Sequence, residues 1–388
     1  MAVHMADRIR DVGVTIFSEM SALAAKHGAV NLGQGFPDFP GPALVKDAAA
    51  RAIAADHNQY APTNGLPAFQ QAAAAEWERR YGRAVDPARE VTVTSGATEA
   101  LLVAVLAYVQ PGDEVILLEP YYDSYPVQVR LAGGVPVFVR LGMPGFTLDV
   151  ERIAAAVTPR TRAIMLNTPA NPCGRVFTEQ ELRALAALAC QRDLLVISDE
   201  VYDRLVFAPH RHLPIAMLPG MWDRTITIHS TGKTFSVTGW KIGYALAAPP
   251  LTDGFRRVHQ FCTFTTATPL QAGIVEGLRA GADYERVFLA EYAARRDLLV
   301  DILRRAGFGV DAPEGTYFVM ADYRGFRGMN DLAFCRWLTT EVGVAAIPPS
   351  AFFHDGHPCG MVRFCFAKKD ETLRAAGERF AARLPRLG

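Results

Sequence analysis

At 388 residues the chain exceeds the ~250–300 residues that one hydrophobic core usually supports, so two domains are expected. Half of the residues are hydrophobic and 21% are charged, the ordinary balance of a soluble globular enzyme. Lys plus Arg and Asp plus Glu each total 40, which argues against a nucleic-acid or anionic-membrane partner, and no apolar run approaches the ~18–20 residues of a membrane span.

The first residues (Met1 to Arg8) lack an apolar signal core, so a cytoplasmic location is expected; whether residues 1–5 are native stays open, because Met5 offers a second start. From about Pro42 the chain alternates Ala/Leu-rich helical stretches with β-branched runs. Helices are predicted over 43–55 and 66–81, then a strand over 90–94. Ser95-Gly96-Ala97-Thr98 opens a helix that runs through Tyr108. Strands follow at 114–118, 135–139, 163–166, 194–197 and 225–228, with helices such as 179–191 between them. Strands alternating with helices imply a mostly parallel sheet covered on both faces. After a long amphipathic stretch (283–306), short strands near 317–320 and 362–366 alternate with helices at 331–341 and 370–384. This reads as a smaller α/β domain, to which the N-terminal segment also belongs. The expected division is 43–285 for the large domain, and 1–42 with 286–388 for the small one.

The six cysteines (Cys173, Cys190, Cys262, Cys335, Cys359, Cys365) are scattered, with no pair at metal spacing, so neither a zinc site nor a disulfide framework is expected. Most read as buried, unreactive thiols. The nine histidines show no ligand cluster either; His354 and His357 lie beside Pro and Gly in a loop.

The chemistry gathers at strand ends, where parallel sheets collect their ligands. Beyond 163–166 comes Asn167-Thr168-Pro169-Ala170-Asn171-Pro172, and beyond 194–197 comes Ser198-Asp199-Glu200-Val201-Tyr202. Beyond 225–228 comes His229-Ser230-Thr231-Gly232-Lys233, with Lys241 a little further on in Gly239-Trp240-Lys241. The amides at the helix start Gly96-Ala97-Thr98 favour phosphate. Lys233 is the residue type that condenses with an aldehyde, and a buried Asp199 is costly without a cation or proton donor. Together these describe a site for pyridoxal 5′-phosphate. Lys233 would take its aldehyde, Asp199 would pair with the ring nitrogen, and Asn171 and Tyr202 would bond the phenolate oxygen. Taken singly, each residue has a plainer explanation: a loop or surface cation for Lys233 and Lys241, a helix start for Gly96, a cap for Asp199, a turn for Asn171, a core phenol for Tyr202.

The chain also resembles the class I, fold-type I aminotransferases, over nearly its whole length. The resemblance rests on Asn31-Leu32-Gly33-Gln34-Gly35-Phe36-Pro37-Asp38-Phe39, Asn58-Gln59-Tyr60, residues 167–172, 198–202 and 230–234, and Val362-Arg363-Phe364-Cys365-Phe366. It is most similar to the kynurenine–oxoglutarate/glutamine transaminase K group and its bacterial methionine aminotransferase members, on residues 11–17 and 344–348. The resemblance implies a seven-stranded, mostly parallel central sheet, pyridoxal phosphate and no metal. It makes Lys233, Asp199 and Tyr202 the catalytic residues. Tyr122 would stack on the ring, and Gly96, Ala97, Thr98, Ser230 and Lys241 would hold the phosphate. Tyr60 would reach in from a second subunit, so an obligate homodimer with shared sites is implied.

Arg363, by the same resemblance, binds the substrate α-carboxylate, beside Gly35 and Asn171. Phe17, with Phe264 and Thr265 from the partner, would rim the side-chain pocket; some relatives carry His where this chain has Thr265. The implied reaction is ping-pong transfer from methionine, glutamine or an aromatic amino acid to a 2-oxo acid. A C–S β-lyase on the same cofactor is the alternative. A cofactor-binding transcriptional regulator is more remote, since only about 40 residues precede the large domain and they carry no helix-turn-helix pattern.

Overall fold

The computed structural model describes residues 4–326 and 328–384. The first three residues of the N-terminal stretch discussed above lie outside them. The strands are β1 (Val30–Asn31), β2 (Val91–Thr94), β3 (Glu114–Glu119), β4 (Val135–Arg140), β5 (Thr161–Asn167), β6 (Leu195–Asp199), β7 (Thr225–Ser230), β8 (Gly243–Leu246), β9 (Gly309–Val310), β10 (Phe318–Asp322), β11 (Val344–Ala345) and β12 (Met361–Cys365). Seven of them form one sheet in the order β2-β8-β7-β6-β5-β3-β4. All neighbours are parallel except β8, which runs against both β2 and β7. The α/β, mostly parallel seven-stranded sheet is therefore as expected. Six of its strands were legible; β8 was not, because Gly243-Tyr244-Ala245-Leu246 is short and carries no β-branched residue.

The two faces of this sheet bury different cores. Ile116, Leu118, Ile164, Leu166 and Val196 pack into one, while Val115, Leu117, Met165, Ile197, Ile226 and Ile228 pack into the other. That double burial is why these strands read as continuous apolar runs rather than as alternation. Local signals set the helices between them. Thr178 and Glu181 form a reciprocal capping box at the start of Glu179–Gln191. Pro67 opens the helix Pro67–Tyr81, and Gly82 closes it in the left-handed conformation at φ 72°.

A second assembly combines the antiparallel sheet β12-β10-β9 and the parallel pair β1-β11. Its core joins Met20 and Leu32 to Phe334, Phe364 and Phe380, so the N-terminal segment packs with the C-terminal third of the chain. The helix Gly281–Arg305 runs unbroken for 25 residues, so the expected boundary at 285 falls inside a single rod. The predicted helix 331–341 is α-helical only over Asp331–Trp337; Leu338–Val342 winds into a wider π turn, ended by Gly343 at φ 86°. Among the described residues, no helix is long and apolar enough to cross a membrane. The thiols only partly match expectation: Cys335 and Cys365 are buried, Cys262 is exposed, and the other three are half-buried. All six are free, and no side-chain group suited to a metal occurs among the described residues.

Candidate active site

A cavity of about 310 Å³ opens at the carboxyl ends of β5, β6 and β7. Register explains the convergence: Asn167 pairs with Asp199 and Asp199 with Ile228, so the three strand ends present their following residues at one rim. Gly35, Phe318 and Arg363, from the smaller assembly, form the opposite wall together with Phe17.

Lys233 lies on the one-turn helix Thr231–Thr234 directly beyond β7. Its Nζ donates to the Tyr317 hydroxyl at 2.7 Å. Burial pulls its pKa down to about 8, helped by Lys241 and Arg363 and opposed by Cys365 and Asp199. Asp199, the last residue of β6, accepts from the Tyr125 hydroxyl at 2.6 Å and from the Val201 amide at 3.3 Å. Burial pushes its carboxyl up to about 6, against those two hydrogen bonds and the charge of Lys233. Asp199 has no ion-pair partner within 4 Å among the described residues. A carboxylate in that position lacks a cationic partner.

One end of the cavity is cationic and lined with backbone donors. Ser95 precedes the helix Gly96–Tyr108, whose first residues Gly96, Ala97 and Thr98 line the cavity, and the first amides of a helix have no intrahelical partner. Gly96 sits at φ 77°, and a Cβ there would lie 3.2 Å from Cε of Lys241, so both the backbone conformation and the crossing lysine favour glycine. Lys241 is itself left-handed at φ 54°, and its Nζ donates to Thr98 Oγ1 at 3.4 Å. Ser230 caps the Thr231–Thr234 turn with its backbone only, leaving its hydroxyl without a capping bond. A helix start, a lysine and a spare hydroxyl fit a dianionic phosphate.

At the other end stands Arg363, only 1% exposed, on β12. Its Nη1 donates to Asn171 Oδ1 at 2.8 Å and its Nη2 to the Gly33 carbonyl at 3.0 Å, while Nε finds no partner. The guanidinium lies 3.9 Å from the ring centre of Phe318, 5.0 Å from Phe17 and 5.3 Å from Phe352. Burial draws its pKa down to about 10, and no carboxylate bonds it among the described residues. A buried, unpaired guanidinium with a free N–H fits an incoming carboxylate.

Thirteen of the expected residues line this one cavity: Lys233, Asp199, Tyr202, Gly96, Ala97, Thr98, Tyr122, Asn171, Ser230, Lys241, Gly35, Phe17 and Arg363. Tyr60 and Phe264 do not line it; they sit together on the surface, ring centres 5.2 Å apart and edge to face, 81% and 49% exposed. Thr265 lies beside them. Sequence reading missed Tyr125, Tyr317 and Phe318. Tyr125 had a local signal, standing three residues after Tyr122 at the start of a helix; Tyr317 and Phe318 had none, since each reads as core at the edge of a strand.

An amine with a lowered pKa, a carboxyl awaiting a cation, a phosphate cradle and a carboxylate-seeking arginine in one cavity suit transfer of an amino group. The comparisons agree. The family model described as aminotransferase class I and II matches residues 27–380. Methionine aminotransferase of Escherichia coli K12 is 42% identical over 372 residues, covering 96% of each chain. A solved Escherichia coli structure described as having a methionine aminotransferase function superposes with a TM-score of 0.95 at 41% identity, over 98% of this chain and 100% of that one. N-succinyldiaminopimelate aminotransferase of Mycobacterium tuberculosis superposes at 0.93 with 45% identity, over 98% and 100%. The mouse kynurenine–oxoglutarate transaminase 3 is 41% identical, covering 97% of this chain and 90% of its own length. Fold, cavity and full-length similarity together place the chain in the class I and II aminotransferase family, as an enzyme of fold type I.

Proposed function

We propose that this aminotransferase works with pyridoxal 5′-phosphate, taking methionine, glutamine or an aromatic amino acid as donor and a 2-oxo acid as acceptor in a ping-pong cycle. The observation that carries the reading is Arg363, a buried cation with an unpaired Nε and no carboxylate bonded to it, across the cavity from Lys233. Donor and acceptor share one group, an α-carboxylate, and both half-reactions need it held in the same place.

The phosphate cradle, the waiting Asp199 and the amine of Lys233 fit the cofactor, which when bound supplies an aldehyde for amines and a cationic ring that draws electrons from the substrate Cα. Lys233 would supply the amine for that aldehyde. Asp199, whose carboxyl burial raises to about 6, would be stabilised as an anion by the protonated ring nitrogen. Asn171 Oδ1 is committed to Arg363, which leaves its amide N–H₂ to donate to the phenolate oxygen, alongside the Tyr202 hydroxyl. Gly96, Ala97, Thr98, Ser230 and Lys241 would hold the phosphate, and Tyr122 would cover the ring face. With a pKa near 8, Lys233 has a free-base fraction at neutral pH, and its Nζ moves the proton of Cα.

Phe17 and Phe36 make the side-chain end of the cavity apolar, and Arg363 is the one arginine lining it among the described residues. That lining favours uncharged donors over a dicarboxylate such as aspartate. The names of the relatives span methionine, kynurenine and N-succinyldiaminopimelate. The exposed pair Tyr60–Phe264 and the neighbouring Phe261, 86% exposed, favour a homodimer in which the partner's Tyr60 and the partner's Phe264 complete each cavity. The large domain (43–285) and the small domain (1–42 with 286–388) are part of the same reading, the cavity lying between the assemblies they contain. So is a cytoplasmic location, supported by six unpaired thiols.

The test is Lys233→Ala. The variant is expected to lose both the visible absorbance of lysine-bound cofactor and turnover, and retention of both ends the assignment. A panel of donors against several 2-oxo acids then ranks substrates. Aspartate emerging as the best donor removes the substrate part of the reading and leaves the rest.

A further inference from the structure

The amine of Lys233 reaches away from the sheet that carries it. Nζ donates to the Tyr317 hydroxyl, Tyr317 gives its own proton to the Gly35 carbonyl, and that carbonyl lies 3.5 Å from the same Nζ. Among the described residues these two oxygens are the acceptors bonded to the amine. The Tyr317 ring is fully buried and held on three sides: edge to face with Tyr202 at 5.0 Å and Phe318 at 4.8 Å, and stacked on Tyr292 at 6.3 Å. Burial raises its phenol well above the ordinary 10, so it stays neutral. With its single proton committed to Gly35, the hydroxyl can only accept from Lys233. Lys233 follows β7 of the large sheet, whereas Gly35 follows β1 and Tyr317 precedes β10. The contact therefore joins the two assemblies across the cavity.

On the reading of Lys233 given above, we propose that Tyr317 is a positioning residue: its hydroxyl receives the lysine amine whenever that amine is not covalently engaged, and holds it at the cavity wall for proton transfer. The other charged and titratable groups around the amine are Asp199, Cys365, Lys241 and Arg363, with the Tyr202 ring 5.7 Å away. Removing the Tyr317 hydroxyl keeps each of these side chains, deletes one acceptor that favours the ammonium form, and also removes an electrostatic partner of the Tyr202 hydroxyl, a change that does not itself lower the lysine's pH midpoint.

Tyr317→Phe in the reconstituted enzyme tests this, with Tyr292→Phe as the control for losing a buried phenol that does not touch Lys233. Both variants should capture the cofactor with wild-type absorbance. With the cofactor in its amine form, where Lys233 is free, the pH midpoint for arylation of Lys233 by fluorodinitrobenzene, read by peptide mass spectrometry, should fall by about one unit or more in Tyr317→Phe. In the same variant kcat should drop ~10–100-fold, the range for one lost hydrogen bond to a charged group, with KM for the amino acid unchanged. Tyr292→Phe should shift neither. Wild-type midpoint and kcat in Tyr317→Phe overturn the proposal. So does a crystal structure of the wild-type amine form with Nζ beyond ~3.5 Å from the Tyr317 oxygen, a result that stands even if the variant does not fold. Failure of the wild type to take up cofactor is a separate outcome, and it removes the underlying reading as well.

Discussion

The two walls of the cavity are built differently. The rim of the large sheet is assembled from residues at strand ends and just beyond them: Asn167 ends β5 and Asn171 follows it, Asp199 ends β6 and Tyr202 follows it, Ser230 ends β7 and Lys233 follows it. Each takes its place from parallel register, and its neighbours in space are close in sequence or on the next strand. The facing wall is made by contacts across the chain. Arg363 meets Asn171 from 192 residues away and Gly33 from 330. The rim is a property of one sheet, while the facing wall exists only when two assemblies are docked. Chemistry that must stay fixed sits on the first. Groups proposed to meet a changing substrate sit on the second.

Three experiments can break or sharpen this contrast. The largest effect is expected at the docked wall. Arg363→Ala should raise KM for amino acids by the ~2–5 kcal/mol of truncating one partner of a buried charge pair, with cofactor uptake unchanged. Steady-state kinetics beside a cofactor titration separates the two, and parallel loss of uptake shows that the walls are not independent.

The next effect belongs to the rim, and it concerns the cofactor-free protein. Asp199 has a folded pKa of about 6 against an unfolded value of 3.8, so the folded state holds more protons through that window. The contribution of Asp199 to stability then falls as pH rises from about 4 to about 6, by on the order of 3 kcal/mol, and levels off above it, so that slope is carried by the difference between wild type and Asp199→Asn. Denaturant midpoints across that range check the slope. Asp199→Asn should flatten it, and Tyr125→Phe, which removes a bond to the charged carboxylate, should carry the decline to higher pH.

The smallest effect is expected at the cradle. Gly96→Ala forces a left-handed alanine, costing roughly 1–2 kcal/mol, and crowds Lys241 at 3.2 Å. Weaker cofactor affinity with little change in kcat is the expected pattern, measured by equilibrium dialysis. Equal affinity shows that the turn can relax.

The same contrast explains what the sequence disclosed. Six of the seven large-sheet strands and the residues beyond them could be read because β-branched runs and loop punctuation are local signals. The strand β8 escaped because in Gly243-Tyr244-Ala245-Leu246 only Tyr244 favours a strand, and its pairing neighbours supply the rest. Tyr317 escaped for a related reason. A tyrosine at the head of an apolar run looks like core, and its part at the lysine exists only through a contact 84 residues away. Arg363, Gly35 and Phe17 entered through family resemblance, since no local pattern marks them. The reading of 331–341 as α-helix missed the π turn at its end, because widening by one residue leaves the apolar spacing almost unchanged.

The aromatic sleeve around Arg363 also governs what the cavity refuses. Phe318, Phe17 and Phe352 shield the guanidinium from solvent, so its field acts at full strength on anything that enters. A monoamine of the kind left when an amino acid loses carbon dioxide brings an ammonium and nothing to neutralise the arginine. If Arg363 takes the α-carboxylate as proposed, such an amine meets like charge in a poorly screened space and is expected to be turned away without any steric clash, while its carboxylate-bearing parent is expected to be retained.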